Sequence, residues 1–243
     1  FGDGIDFVVG DNFQASGDSI FVGSNEEFDN VITIGNNTRL VAENSLLLVD
    51  EDIVVDIGDD AYLRADDVGF GVIGDTLTLT LGNDATLDVS NGTEVGVTAK
   101  YIDFESGAGL DMDTHDDAFE VFIGGSGGTI TIGDNSSVTS EDGRGIDGTN
   151  GDVTVVLGAN SSIQSYDEGI TGTDNLTISS GASITSDNNT GVEGTDGNDT
   201  FDISGTITGG NGTAIDLGNS SDELILRTGA GFVGDVDGGD GSD

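Results

Sequence analysis

The sequence predicts an all-β chain wound as a right-handed parallel β-helix, a three-sided β-solenoid of about ten coils of about 24 residues. Three observations predict it. First, Gly145-Ile146-Asp147-Gly148-Thr149 returns as Gly169-Ile170-Thr171-Gly172-Thr173 and as Gly191-Val192-Glu193-Gly194-Thr195, with starts 24 and 22 residues apart. Ser162-Ile163-Gln164-Ser165 likewise returns as Ser183-Ile184-Thr185-Ser186. A period this short marks one supersecondary unit stacked on copies of itself. Second, each repeat carries three short apolar clusters with period-two alternation, separated by Gly, Asn, Asp or Ser. Third, no stretch sustains the 3.6-residue period of a helix, and 42 Gly interrupt every attempt.

Taken in order, the first coil holds Ile5, Phe7, Phe13 and Ile20, and the second Ile32, Ile34, Leu40, Leu46 and Leu48. The third holds Ile53, Val55, Ile57, Leu63, Phe70 and Val72, and the fourth Leu77, Leu79, Leu81, Leu87, Val89, Val95 and Val97. The fifth holds Ile102, Phe104, Leu110, Met112 and Phe119, and the sixth Ile130, Ile132, Val138 and Ile146. The three clear copies follow, and Leu224, Leu226, Phe232 and Val236 make the tenth. The middle clusters give a register, Leu40, Leu63, Leu87, Leu110, Val138, Ile163, Ile184 and Ile207, predicted to stand in one interior column. Each strand pairs with its equivalent about 4.8 Å away, so ten coils make a rod of roughly 48 Å. Burying each of these side chains is worth about 1.5–3 kcal/mol, which a coil realises only when stacked on neighbours. Val121 to Thr129, with its Gly124-Gly125-Ser126-Gly127-Gly128 run, is expected to be a loop insertion. Residues 1–243 read as one β-helix domain cut from a longer repeat protein, because neither end carries a capping pattern.

Composition narrows the function. There are 47 acidic residues against 5 basic ones, a formal net charge of −42, which repels nucleic acid and anionic lipid. The absence of Cys removes disulfides and thiolate metal sites, and the absence of Pro suits a backbone whose N–H groups serve ladders. No apolar run is long enough to span a membrane as a helix. Such charge also fits disorder, but the apolar residues are periodic and not merely sparse.

Four groups are candidate sites. Gly194-Thr195-Asp196-Gly197-Asn198-Asp199-Thr200-Phe201 resembles the nonapeptide of RTX (hemolysin-type) calcium-binding repeats, with Thr195 where that motif has Gly. Gly238-Gly239-Asp240-Gly241-Ser242-Asp243 resembles the start of another, and Gly2-Asp3-Gly4-Ile5-Asp6-Phe7 a third. Asp196, Asn198, Asp199, Asp240 and Asp243 are thus candidate calcium ligands, as hard oxygen donors, although RTX turns come in tandem and these do not. In-register stacking of acidic turns would set carboxylates about 5 Å apart and repelling, so calcium or sodium is expected to raise stability. His115, the one His, stands among Asp111, Asp113, Asp116 and Asp117; one imidazole without a second is a poor transition-metal set, and a solvated corner is the simpler reading. Catalysis on polysaccharide needs paired carboxylates or a basic residue at a cleft, whereas Arg39, Arg64, Lys100, Arg144 and Arg227 are scattered and there is no Trp. Thr33, Thr78, Thr131, Thr154 and Thr177 form an outward Thr ladder, broken at Asp56, Asp202 and Ile225, of the kind that would serve an ice-binding protein. Asn-x-Ser/Thr sequons at Asn91, Asn135, Asn175 and Asn211 leave glycosylation open.

Thr213-Ala214-Ile215-Asp216-Leu217-Gly218, then Asp222-Glu223-Leu224-Ile225-Leu226, Gly229-Ala230-Gly231-Phe232 and Val236-Asp237-Gly238-Gly239 resemble the β-helical repeats of bacterial autotransporter passengers and large repeat adhesins. The likeness covers the sixth to tenth coils in motif and the first five in periodicity alone. It implies a secreted or surface-displayed fibrous protein, and it carries over no catalytic residue. The expectation is a non-catalytic extracellular or cell-surface rod, structural or adhesive, that assembles with itself into filaments or matrix. Cell-surface glycans are further expected partners, and no organic cofactor is expected. The competing class is a polysaccharide-active lyase or hydrolase, which would show a groove of clustered carboxylates beside a basic or aromatic partner.

Overall fold

Strands stack on strands about 24 residues away, and every pairing is parallel, as a coil wound on itself requires. The computed structural model describes residues 6–23, 30–44, 46–49, 52–66, 70–72, 76–89, 95–121, 125 and 127–241. Among them there is no helix. Ile5, the sequon at Asn91, Ser242 and Asp243 lie outside the described residues.

The first face is a ten-stranded parallel sheet, running from Asp6–Val9 through Thr76–Leu81 and Thr173–Ile178 to Glu223–Leu226. The second and third faces form one 18-stranded sheet, because Thr206–Asp216 and Gly231–Asp237 each run round the corner between them. Thr76–Leu81 shows why such residues make such strands. Leu77, Leu79 and Leu81 turn into the core and Thr76, Thr78 and Thr80 turn out, so one strand serves both the interior and water. Phe104 and Phe119 meet edge to face inside, ring centres 4.9 Å apart.

The second-face column is Leu40, Leu63, Leu87, Met112, Val138, Ile163, Ile184, Ile207 and Phe232. Met112 therefore stands where Leu110 was expected. Leu110 is also fully buried, but at the corner position, in line with Ala85 and Ser136. The Gly107-Ala108-Gly109 corner aligns with Gly82-Asn83-Asp84, and this fixes the strand that follows two residues further along. The predicted Thr ladder also divides. Thr33, Thr131 and Thr177 share one outward column with Asp56, Thr80 and Glu105, whereas Thr78 and Thr154 stand in the neighbouring one. Gly127 and Gly128 belong to the strand Gly127–Ile132 and pair with Tyr101 and Ile102, not to a loop. A Cβ on Gly128 would run into the Ile102 carbonyl, so this strand enters where only glycine fits.

The corner between the first and second faces repeats a tight turn whose central residue has positive φ. Asn12, Asn37, Asp60, Asp84, Asn135 and Asn160 lie between 54° and 62°, and Gly109 and Gly181 at 77°. Asn and Asp tolerate this left-handed conformation better than other L-residues, which accounts for their recurrence here. The residue before each is Asp11, Asn36, Asp59, Asn83, Ala108, Asp134, Ala159 or Ser180. Where that residue is Asp or Asn, its side-chain oxygen accepts the N–H of its counterpart one coil on: Asn36 to Asp11 at 2.9 Å, Asp59 to Asn36 at 2.8 Å, Asn83 to Asp59 at 2.7 Å, Ala108 to Asn83 at 3.0 Å. Ala159 repeats the bond to Asp134 at 2.7 Å. Neutral residues separate the carboxylates of this column, so the expected stacking of acid on acid does not occur in it. The outward first-face column Thr33, Asp56, Thr80, Glu105, Thr131 is interleaved in the same way.

Buried hydroxyls complete the interior. Thr114 and Ser140 donate to the Asp116 carbonyl, and Ser165 and Ser186 to that of Asp167, so the second corner is closed from inside.

Candidate functional site

Carboxylates stand directly on one another at Asp88 and Asp113 on the second face, at Glu120 and Asp147 on the third, and again at the corner between the third and first faces. Glu193, Asp216 and Asp237 form one such column, and Asp199 and Asp222 another. The calcium candidates lie here. The turn at 194–199 stacks on the turn at 218–222. Asp199 is buried and uses both carboxylate oxygens on its own turn, accepting from the Thr195 N–H at 2.6 Å and the Thr195 hydroxyl at 2.7 Å. Its own N–H donates to Asp222 at 2.8 Å. Asn198 accepts from the Ser221 N–H at 3.1 Å, and Asp196 from the Asn219 amide at 2.5 Å. Asn219 in turn pairs with Asp240, so Asp196 and Asp240 are two coils apart with an amide between them. The structure thus brings Asp196, Asn198 and Asp199 into one turn and leaves Asp240 outside it; Asp243 is beyond the described residues. Among the described residues no three His, Asp or Glu side chains are grouped to hold a metal. Burial pushes the Asp199 carboxyl up, against the pull of its Thr195 hydrogen bonds and with Asp222 adding to the rise.

The same corner contains a notch of about 480 Å³. It exists because one coil cuts the corner short. Residues 148–152 and 194–199 bulge outward, but between them Gly172 alone links Ile170–Thr171 to Thr173–Ile178. The missing length is absorbed by a register shift that leaves Asp174 unpaired between Thr173 and Asn175. Thr149, Asp152, Glu193, Thr195, Asp196 and Asp216 line the notch. Burial pushes the Glu193 carboxyl up, and Glu168 adds to the rise. The signal was present in the sequence: Ile146 to Val155 and Val192 to Phe201 span nine residues each, while Ile170 to Leu176 spans six.

Beside the notch stands the most heavily engaged cation of the described chain. Arg144 lies in a column between Asp117 and Glu168, because Ala118 and Gly145 donate N–H groups to the Arg144 and Glu168 carbonyls. Its guanidinium reaches Asp147 at 2.7 Å and Glu168 at 2.9 Å, and its N–H donates to Asp117 at 2.6 Å. Asp147 is buried and also accepts from Thr149. Read as one of five scattered basic residues, Arg144 instead serves three coils at once. Two other basic residues bridge neighbouring coils: Arg39 lies 4.9 Å over the Tyr62 ring, and Arg227 pairs with Asp202 through two contacts of 2.8 Å.

His115 sits at the second corner, 3.4 Å from Glu141 and 3.5 Å from Asp142 of the next coil. Asp117 faces Arg144, and Asp111 and Asp113 point outward from the second face in line with Thr86 and Asp88, so the acidic run does not converge on the imidazole. Asn135 occupies an exposed left-handed corner, Asn175 a first-face strand and Asn211 an exposed position within the strand Thr206–Asp216.

A scan against protein-family models finds no match, and searches of curated proteins and of solved structures return no similar protein.

Proposed function

We propose that the chain is a non-catalytic structural or adhesive protein of a bacterial surface or extracellular matrix, a rigid acidic rod that assembles with itself. The observation that carries this reading is the continuity of the stack. Three ladders and a hydrogen-bonded corner repeat from coil to coil, while the outward residues change freely. Selection on a lattice of this kind acts on length and stiffness more than on a single pocket. The likeness to autotransporter passengers and repeat adhesins supports export and display, and carboxylate-rich faces support calcium-bridged contacts with other rods or with glycans. Electron microscopy with and without calcium tests the proposal: filaments or bundles that shorten on chelation are expected, and monomeric rods at every calcium concentration count against self-assembly.

One observation favours a second reading, polysaccharide cleavage. The notch sets Glu193, Asp152 and Asp216 in a concave wall next to the Arg144 cluster, the combination expected of a β-helix enzyme. Incubation with neutral and acidic polysaccharides, followed by assay for new reducing ends, decides it. Product that disappears with Glu193→Gln supports the enzyme; no product from any of them retires it.

A further inference from the structure

The Arg144 junction has a property that neither a passive rod nor a cleft requires. One guanidinium stands among Asp117 of the preceding coil, Asp147 of its own, Glu168 of the next and Glu193 of the one after. The acids outnumber the cation, and the geometry of the column prevents them from moving apart. Asp147 and Glu168 hold the guanidinium directly. Asp117 receives the Arg144 backbone N–H and not the guanidinium.

We propose that Asp117 is a proton-operated latch between consecutive coils, loose when ionised and closed when protonated. The groups that face it are Asp116 on its own corner and Arg144 and Asp147 on the coil that follows. Gly143 of that coil packs against its carboxylate. On the side of the preceding coil, the described residue against it is Gly96, which is uncharged and donates its N–H to the Asp117 carbonyl. Ionised Asp117 is thus half-buried beside two further carboxylates. A proton removes that repulsion and leaves the acceptor oxygen for the Arg144 N–H in place. Burial, first, and then Asp116 and Asp147 push the carboxyl up to about 7, against the pull of the Arg144 N–H and charge. The folded form therefore binds this proton more tightly than the unfolded chain, whose Asp titrates near 3.8. The latch favours folding fully below the unfolded value and loses its effect as pH rises through 7. A rod carrying it stiffens on mild acidification, the reverse of ordinary acid denaturation.

Asp117→Asn tests this, because the amide oxygen still accepts the Arg144 N–H and the charge is gone. Urea midpoints are compared with wild type at pH 8.5 and 5.5. The variant is expected to unfold at higher urea than wild type at both values, by a clearly smaller margin at pH 5.5 than at pH 8.5. A difference that does not change with pH, or a variant weaker at pH 8.5, overturns the latch. Should the variant fail to fold, carboxyl carbon NMR of the wild-type protein decides alone: an Asp117 midpoint near 7 is required, and one in the ordinary carboxylate range contradicts it.

Discussion

The carboxylate of Asp59 accepts the backbone N–H of Asn83, its counterpart one coil further on, at 2.7 Å, and also the Asn83 side-chain amide at 3.1 Å. Asp59 itself donates to Asn36 at 2.8 Å. The corner is thus a relay in which each side chain satisfies a backbone donor that the turn leaves free. An amide on either side of a carboxylate removes the repulsion that two acids would suffer at one coil spacing.

Two substitutions separate the hydrogen bond from the charge. Asp59→Ala deletes an acceptor at an exposed corner, where water replaces it, and should cost about 0.5–1.5 kcal/mol at any salt concentration. Asn36→Asp keeps the acceptor but sets three carboxylates in a row, Asp11, residue 36 and Asp59. Its loss should be large at 10 mM salt, where the Debye length is about 30 Å, and small near 1 M, where it is about 3 Å. Melting curves at the two salt concentrations read both effects.

In the interior, Leu87 lies between Leu63 and Met112 and is fully buried. Leu87→Ala should lower stability by about 2–5 kcal/mol, because stacked neighbours on both sides keep the cavity from collapsing. Met112→Leu conserves volume and should cost less than about 1.5 kcal/mol. Urea denaturation measures both, and an unchanged midpoint for Leu87→Ala would place it outside the core.

Arg144 is the joint between three coils. Arg144→Met leaves Asp147 buried without its charged partner and should destabilise by about 1.5–3 kcal/mol. Arg144→Lys should recover only part of this, since an ammonium cannot hold Asp147 and Glu168 with one planar fork. Full recovery by Lys would reduce the role of Arg144 to simple charge.

Calcium can be assigned or dismissed at Asp199. Both of its oxygens are engaged by Thr195, which makes it a turn acceptor in the absence of metal. Asp199→Ala should therefore lower the melting temperature in chelator and in millimolar calcium alike. A loss seen only with calcium would make Asp199 a metal ligand, with Thr195 released on binding.

The fold was legible because its signals are local and repeated. Alternation in Leu77-Thr78-Leu79-Thr80-Leu81 states both strand and orientation, and Asn, Asp or Gly at each left-handed corner states the turn. The register was less legible. Leu110 looks like the natural successor of Leu87, yet the extent of the Gly107-Ala108-Gly109 corner gives that place to Met112. Counting from the corner residue, not from the largest apolar side chain, would have found it. The Arg144 cluster was hidden for a different reason. Asp117, Arg144 and Glu168 sit 27 and 24 residues apart, so their contact appears only once coils of unequal length are aligned. The notch at Gly172 was hidden likewise, as a shortened interval inside a conspicuous repeat.

The stacking register itself is open to direct measurement, because the chain contains no Cys. Thr86 and Asp111 are opposed on adjacent second-face strands, and Thr86 and Asp113 are diagonal. Adjacent strands bring opposed Cα atoms to about 4.8 Å, within disulfide reach, and diagonal ones to about 8 Å, beyond it. Oxidation of the Thr86→Cys/Asp111→Cys protein should give a nearly complete intramolecular bond, mapped by peptide mass, while Thr86→Cys/Asp113→Cys stays reduced. The opposite result, or bonding in neither, would contradict the parallel stack on which every site described above depends.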